Sequence, residues 1–179
     1  MTAKSPHPAT ETLSQSGNIS TFEAMHHDLD EMFLSHQQAL LNRDMHEAMR
    51  CLLKYERLLH LHMEHEERYL LPAFSAGRAG LDNPPGLPAE VYVLEHRKIR
   101  ERLNDLKRRM RDLSQTADCS ARNLIGVLDL ECGFKQLVEH HNRRELNLLY
   151  PDSNTLIPHH DRTEMITQCR KEWNAAVAE

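Results

Sequence analysis

Two stretches of the chain pair a histidine with a carboxylate four residues on. In Leu59–Pro72, LHLHMEHEERYLLP, His62 precedes Glu66 by four residues and Pro72 by ten. In Leu137–Pro151, LVEHHNRRELNLLYP, His141 precedes Glu145 by four and Pro151 again by ten. On a helix, residues i and i+4 share a face one turn apart. Each segment can therefore aim an imidazole and a carboxylate at one point, a donor set that suits iron, zinc or manganese. Two such pairs in one small protein point to a site for two metal ions.

Helical periodicity surrounds both pairs. A first helix is predicted from Ser20 or Thr21, where Ser20 and Glu23 have capping-box spacing. Its inward stripe reads Phe22, His26, Leu29, Phe33, His36 and Leu40. A turn at Asn42-Arg43-Asp44 leads to a second helix from Met45 to Leu71, with Asp44 and Glu47 again at capping-box spacing. Its stripe is Leu52, Tyr55, Leu59, His62, Glu66 and Tyr69. The metal candidates thus stand where the pattern calls for leucine, and an unpaired polar group in a core costs several kcal/mol unless something satisfies it.

The longest break, Pro72 to Leu87, holds Gly77, Gly80 and the Asn83-Pro84-Pro85-Gly86 turn cluster. Pro88 suits the first turn of a third helix, whose stripe is Tyr92, His96, Ile99, Leu103, Leu106, Met110 and Leu113. After a polar connection, Ser114 to Ser120, the fourth helix carries Val127, Leu130, Phe134, Val138, His141, Glu145 and Leu148, ending before Pro151. A loop to Pro158 and a fifth helix from His160 to Ala176 complete the chain. Met165 or Ile166, Cys169, Trp173 and Val177 would face the body of the protein.

The expected fold is all-α: an antiparallel up-and-down four-helix bundle over residues 20–151, with an accessory C-terminal helix over 152–179. In that arrangement the starts of helices one and three share one end of the bundle with the ends of helices two and four. His26, His62, Glu66, His96, His141 and Glu145 then lie at one depth as well as on the inward stripes. His36 lies ten residues beyond His26, roughly 15 Å further along the axis, and cannot join them. His27 points about 100° away from the stripe, which makes His26 the better first-helix candidate, with His27 as the alternative. His7, His46, His60, His65, His140, His159 and His160 fail one or both tests and read as surface residues.

Bulk properties narrow the class. A net charge of −5 and a pI of about 6.2 give no electrostatic case for nucleic acid. Few aromatics and glycines favour helix over sheet. The four cysteines form no C-x-x-C pair and read as reduced, small apolar side chains of a cytoplasmic protein. No apolar run approaches the roughly 20 residues that span a bilayer, so no membrane partner is expected. Residues 1–19 lack a signal-peptide core and read as a disordered leader.

Taken together, these motifs resemble a hemerythrin-like protein of the HHE cation-binding kind, over roughly residues 20 to 151. They are the histidine in HHDLDEMF, H-x-x-x-E-E ahead of LLP, E-H-R-K-I opening helix three, and H-x-x-x-E ahead of LYP. Ferritin-like diiron proteins instead repeat Glu-x-x-His, a spacing found here once, as Glu23 to His26. The resemblance implies that His26 and His62 bind one iron and His96 and His141 the other, with Glu66 and Glu145 bridging both. Oxygen-carrying hemerythrins have a further histidine where this chain has Tyr92, and a longer His-to-Asp spacing on helix four. Both departures look like the four-histidine, two-glutamate group that includes iron-centre repair proteins. Those carry a Cys-containing N-terminal domain, whereas residues 1–20 here contain no cysteine.

Six protein ligands over two ions leave open positions, one of them suited to an oxo or hydroxo bridge, and such a centre can take O2, peroxide or NO. The leading expectation is a non-heme diiron protein that binds or senses such a ligand, without turnover, alongside a separate redox or output protein. One alternative is a diiron enzyme or iron-donating factor in oxidative or nitrosative stress; another is a zinc-holding or metal-free helical interaction protein. Zinc and manganese are possible substitutes for iron. Tyr92 reads either as a core tyrosine or as a group that touches the centre, by hydrogen bond or as a phenolate ligand. Glu67 and Glu95 either hold the second nitrogen of a neighbouring imidazole or are solvated.

Overall fold

The computed structural model describes residues 17–81, 88–116 and 120–178, which are helical with no strand. The first three helices are α1 (Ser20–Leu41), α2 (Met45–His65) and the short α3 (Leu71–Gly77). They are followed by α4 (Ala89–Thr116), α5 (Ala121–Arg144), the short α6 (Tyr150–Leu156) and α7 (His159–Ala178). Within the fold α1 packs on α2, α4 on α5 and α2 on α4. The leader before residue 17, the turn cluster at 83–86 and Cys119 lie outside the described residues. None of the described helices is long and apolar enough to cross a membrane.

The apolar stripes generate the core. Phe22, Leu29, Phe33 and Leu40 of α1 are buried, as are Leu52, Tyr55 and Leu59 of α2. The whole α4 stripe from Tyr92 to Leu113 is buried as well. Phe33, Tyr55 and Phe134 pack ring to ring at centroid distances of 5.0–6.0 Å, joining α1, α2 and α5.

Capping follows the sequence at one helix and departs from it at another. Asp44 caps α2 by accepting from the Glu47 amide at 2.9 Å, while the Glu47 carboxylate turns to Arg50. At α1 the expected Ser20–Glu23 box does not form. The cap position falls on Ile19, and two asparagines serve instead: Asn18 accepts from the Ser20 amide and Asn154 from the Ile19 amide.

The expected helix ends at Leu71 and before Pro151 are overturned. The chain stays helical through Pro72 to Gly77 and through Pro151 to Leu156. A π-helical turn precedes each proline, at Glu66–Leu70 and at Glu145–Leu149. The amide of Leu71 bonds back to Glu66, and that of Tyr150 to Glu145, five residues away rather than four. Proline lacks an N–H and its ring collides with the carbonyl of residue i−4 in a regular helix. A widened turn just ahead of the proline lets the helix pass.

Each π turn adds one residue, which rotates everything beyond it by about 100°. Leu70 and Leu71 therefore face the core where the spacing chose Tyr69, which is half-buried. Leu149 and Tyr150 take the place chosen for Leu148, which is 38% exposed. A separate correction falls on α5, where Leu130 is exposed and Glu131 is buried. Both choices keep the alternation of three and four from Val127 to Phe134, and Glu131 wins because it pairs with His36 at 2.9 Å and Gln37 at 2.7 Å.

The C-terminal helix, slightly longer than expected, lies against α1 and α2. Met165, Ile166, Cys169 and Trp173 are buried, and the Trp173 indole donates to Asp28 at 3.1 Å. Arg57 and Lys54 of α2 donate to the carbonyls of Ala176 and Val177 at its end. His65, expected on the surface, is buried and bonded to Glu172 of α7 at 2.8 Å, because α7 covers the face of α2 that it occupies. His60 is half-buried rather than exposed. Cys51, Cys132 and Cys169 are free thiols.

Candidate metal centre

The six side chains singled out by spacing and depth meet in one place. They are buried throughout, from 0% exposure for Glu66, His96 and Glu145 to 6% for His26. His27 is exposed, which decides between the two α1 candidates for the inward position. Two groups of four donors, each able to hold a cation, share both glutamates: His26, His62, Glu66 and Glu145, and His96, His141, Glu66 and Glu145.

Distances give the arrangement its logic. His26 Nε2 faces His62 Nε2 at 2.8 Å, and His96 Nε2 faces His141 Nε2 at 3.1 Å. Glu66 puts Oε1 at 3.5 Å from His62 and Oε2 at 3.2 Å from His96. Glu145 puts Oε2 at 3.2 Å from His26 and Oε1 at 2.8 Å from His141. Each carboxylate thus spans from one histidine pair to the other. The π turns begin at these same two glutamates, so the helical distortion and the chemistry occupy one place.

Behind the second pair stand further carboxylates. Glu67 lies 2.8 Å from His96 Nδ1 and Glu95 lies 3.1 Å from His141 Nδ1. Arg100 and Arg144 hold those two carboxylates from the outside. This supports the reading of Glu67 and Glu95 as partners of the imidazoles over the solvated alternative. A carboxylate at Nδ1 puts the ring proton there and leaves the Nε2 lone pair bare. Two bare Nε2 atoms 3.1 Å apart repel unless a proton or a cation lies between them. His26 Nδ1 and His62 Nδ1, by contrast, are buried without a hydrogen-bond partner.

The electrostatics are those of a cluster that needs positive charge. Burial opposes charge on His96, yet the facing carboxylates of Glu145, Glu66 and Glu67 outweigh it and push its pKa up to about 11. His141, under the same opposition, is carried to about 9 chiefly by Glu145. Burial and the neighbouring His26 hold His62 well below its ordinary value. Glu66 is raised by burial and by Glu145, while the surrounding histidines overcome burial to hold Glu145 well below the carboxylate range. Oε2 of Glu66 and Oε1 of Glu145 accept no well-formed hydrogen bond despite their imidazole neighbours. Two buried carboxylates with unsatisfied oxygens, facing imidazole lone pairs, are a donor set that a pair of cations fits.

Tyr150 belongs to the cluster, and spacing missed it because the π turn brings it inward. Its hydroxyl lies 2.8 Å from Glu66, 3.2 Å from Glu145 and 3.3 Å from His26. Tyr92 is fully buried, with its ring edge-on to His141 at 6.4 Å between centroids. Its hydroxyl has no hydrogen-bond partner. A surface hollow of about 500 Å3 reaches His26 between α1 and α5, with Glu23, Asp30 and Glu139 among its walls.

Residues 17–153 match the family model of the hemerythrin HHE cation binding domain. Comparisons with curated proteins and with solved structures gave no match. The family match takes in every residue of the cluster, from His26 to Tyr150, and the chain therefore belongs to the hemerythrin HHE cation-binding domain family.

Proposed function

We propose that this is a non-heme diiron protein that binds or senses O2, NO or peroxide in the cytoplasm. His26 and His62 would hold one ion and His96 and His141 the other, with Glu66 and Glu145 bridging. The observation that carries the reading is that both glutamates reach, with separate oxygens, to both histidine pairs. A single-ion site would need neither the second pair nor the doubled carboxylates.

Two bound irons would supply open coordination positions and one-electron redox chemistry. The chain's own contribution is positioning. Glu67 and Glu95 fix the tautomers and ring planes of His96 and His141. Phe22 packs against His62 and Tyr150 and keeps water from that side. The acidic walls of the hollow beside His26 suit the approach of a cation. We further propose that α1, α2, α4 and α5 run up and down in antiparallel order over residues 20–151, with α7 as an accessory. Donors from the starts of α1 and α4 and the ends of α2 and α5 then share one depth, as they do in the cluster. The free thiols suit a reducing compartment.

The test is metal content and absorption of protein loaded anaerobically with ferrous iron and then exposed to air. Two irons per chain and a new near-ultraviolet charge-transfer band are expected. His62→Ala and Glu145→Ala should lose the metal. Zinc in place of iron, or less than one iron without a band, would overturn the diiron reading.

A further inference from the structure

The two halves of the centre are built on one pattern and filled differently. Each runs His-x-x-x-Glu, four further residues, then one residue and a proline: Leu71-Pro72 in the first segment and Tyr150-Pro151 in the second. Each π turn swings the residue before the proline into the interior, where Leu71 is 3% exposed and Tyr150 5%. At Leu71 the pattern supplies a methyl-bearing side chain. At Tyr150 it supplies an oxygen in the middle of the donors.

We propose that the Tyr150 oxygen is a fifth protein donor to the ion of the His26–His62 half, which makes the two metal positions unequal. The inference rests on the two-ion reading above. Donors about 2.1 Å from an octahedral ion lie about 3.0 Å from their neighbours, the edge of the octahedron. Around the first position the donor-to-donor distances cluster near that length. His26 to His62 is 2.8 Å, His26 to Glu145 is 3.2 Å and His62 to Glu66 is 3.5 Å. The Tyr150 oxygen adds edges of 2.8 Å to Glu66, 3.2 Å to Glu145 and 3.3 Å to His26.

Hydrogen bonding alone accounts for this poorly. A phenol has one proton, and that proton can serve the Glu66 oxygen it faces. The lone pairs of the hydroxyl then face a second carboxylate and an imidazole nitrogen. An ion at the centre of these donors would turn each of those close approaches into an edge. Around the other position His96, His141, Glu66 and Glu145 supply four donors, and the nearby Tyr92 hydroxyl makes no hydrogen bond to any of them. The difference leaves more of the second ion's positions free for an exogenous ligand. On coordination the O–H bond breaks and its electron pair forms the bond to the ion. The proton leaves to solvent, and no oxidant or reductant is consumed.

Ferric ions bound by phenolate absorb in the visible and enhance tyrosine ring vibrations in resonance Raman spectra. The experiment loads the full chain with two irons, oxidises it in air and records both. We expect a visible band with enhanced tyrosine modes that shift when the protein carries ring-deuterated tyrosine. Tyr150→Phe should lose more than nine-tenths of the band, and Tyr92→Phe should keep it. If Tyr150→Phe fails to fold or to hold iron, the chain's other tyrosines, Tyr55, Tyr69 and Tyr92, can be replaced by phenylalanine singly. Retention of the band in all three leaves Tyr150 as its source. Two ferric ions without tyrosine modes would overturn the proposal and leave the diiron reading standing, as would loss of the band in Tyr92→Phe. Failure of the wild-type chain to hold iron would overturn both.

Discussion

His36 Nε2 and Glu131 Oε1 meet at 2.9 Å with no exposure to solvent on either residue, well away from the His/Glu cluster along α1. The other nitrogen of His36 bonds the Ala48 carbonyl at 2.7 Å, and the other oxygen of Glu131 accepts from Gln37. Every polar atom of the pair is satisfied, so α1, α2 and α5 are pinned together by one buried polar knot. Breaking half of it should cost more than removing all of it. Glu131→Ala is expected to destabilise the chain by about 3–5 kcal/mol, because an imidazole loses its buried partner. The double replacement His36→Leu/Glu131→Leu should cost clearly less. Urea unfolding of the three proteins checks the order, and equal losses would contradict it.

Protons and metal compete for the same nitrogens. The folded metal-free chain holds protons on His96 up to about 11 and on His141 up to about 9. Raised values in the folded state stabilise it fully below the unfolded histidine value of about 6.5. That stabilisation is lost as pH rises through about 9 and then about 11. Bound metal has the opposite dependence, since its ligands must shed their protons. The rise in Tm on adding ferrous iron anaerobically should therefore be larger at pH 8.5 than at pH 6. Thermal melts at the two pH values test this, and a gain that shrinks with pH would refute it.

Glu67 and Glu95 act through the imidazoles they hold. Replacing either by glutamine keeps a hydrogen-bond acceptor but removes the charge behind the ring. Metal affinity should fall about 10–100-fold for each. Glu101→Gln, on the exposed face of α4, should change it little. Competition with a chelator of known affinity gives the comparison.

The prolines make the π turns worthwhile to the chain. Pro151→Ala removes the clash that a regular helix would suffer there, a matter of about 3 kcal/mol. With the pressure relieved, the helix can return to regular spacing and turn Tyr150 by about 100° away from the glutamates. The expected result is an unchanged or higher helical signal by circular dichroism together with weaker iron binding. Iron binding equal to wild type would show that the wide turn holds itself open without the proline.

Spacing read from the residues alone located the six clustered side chains, because histidines and glutamates break stripes that are otherwise aliphatic or aromatic. Depth then tied together segments more than a hundred residues apart. What spacing could not reach were the two widened turns. A rule of three and four runs true to Glu66 and Glu145 and fails at its next step, where it selects Leu148 and the helix instead turns Leu149 and Tyr150 inward. Proline, read as a stop, was the signal that should have suggested a bulge. Glu131 was missed for a different reason: two candidates fitted the period equally, and the partner that decides between them, His36, lies on another helix.

The bond between His65 and Glu172 joins α7 to the residue immediately before Glu66. The last helix of the chain is therefore fastened to the turn from which Glu66 springs. Docking of α7 and filling of the centre act on the same stretch of backbone, and a coupling between two equilibria works equally in both directions. A partner that draws α7 away would loosen the hold on metal, and departure of the metal would loosen α7 by the same free energy. The C-terminal helix is in this sense a handle on the centre, and the centre a latch on the helix.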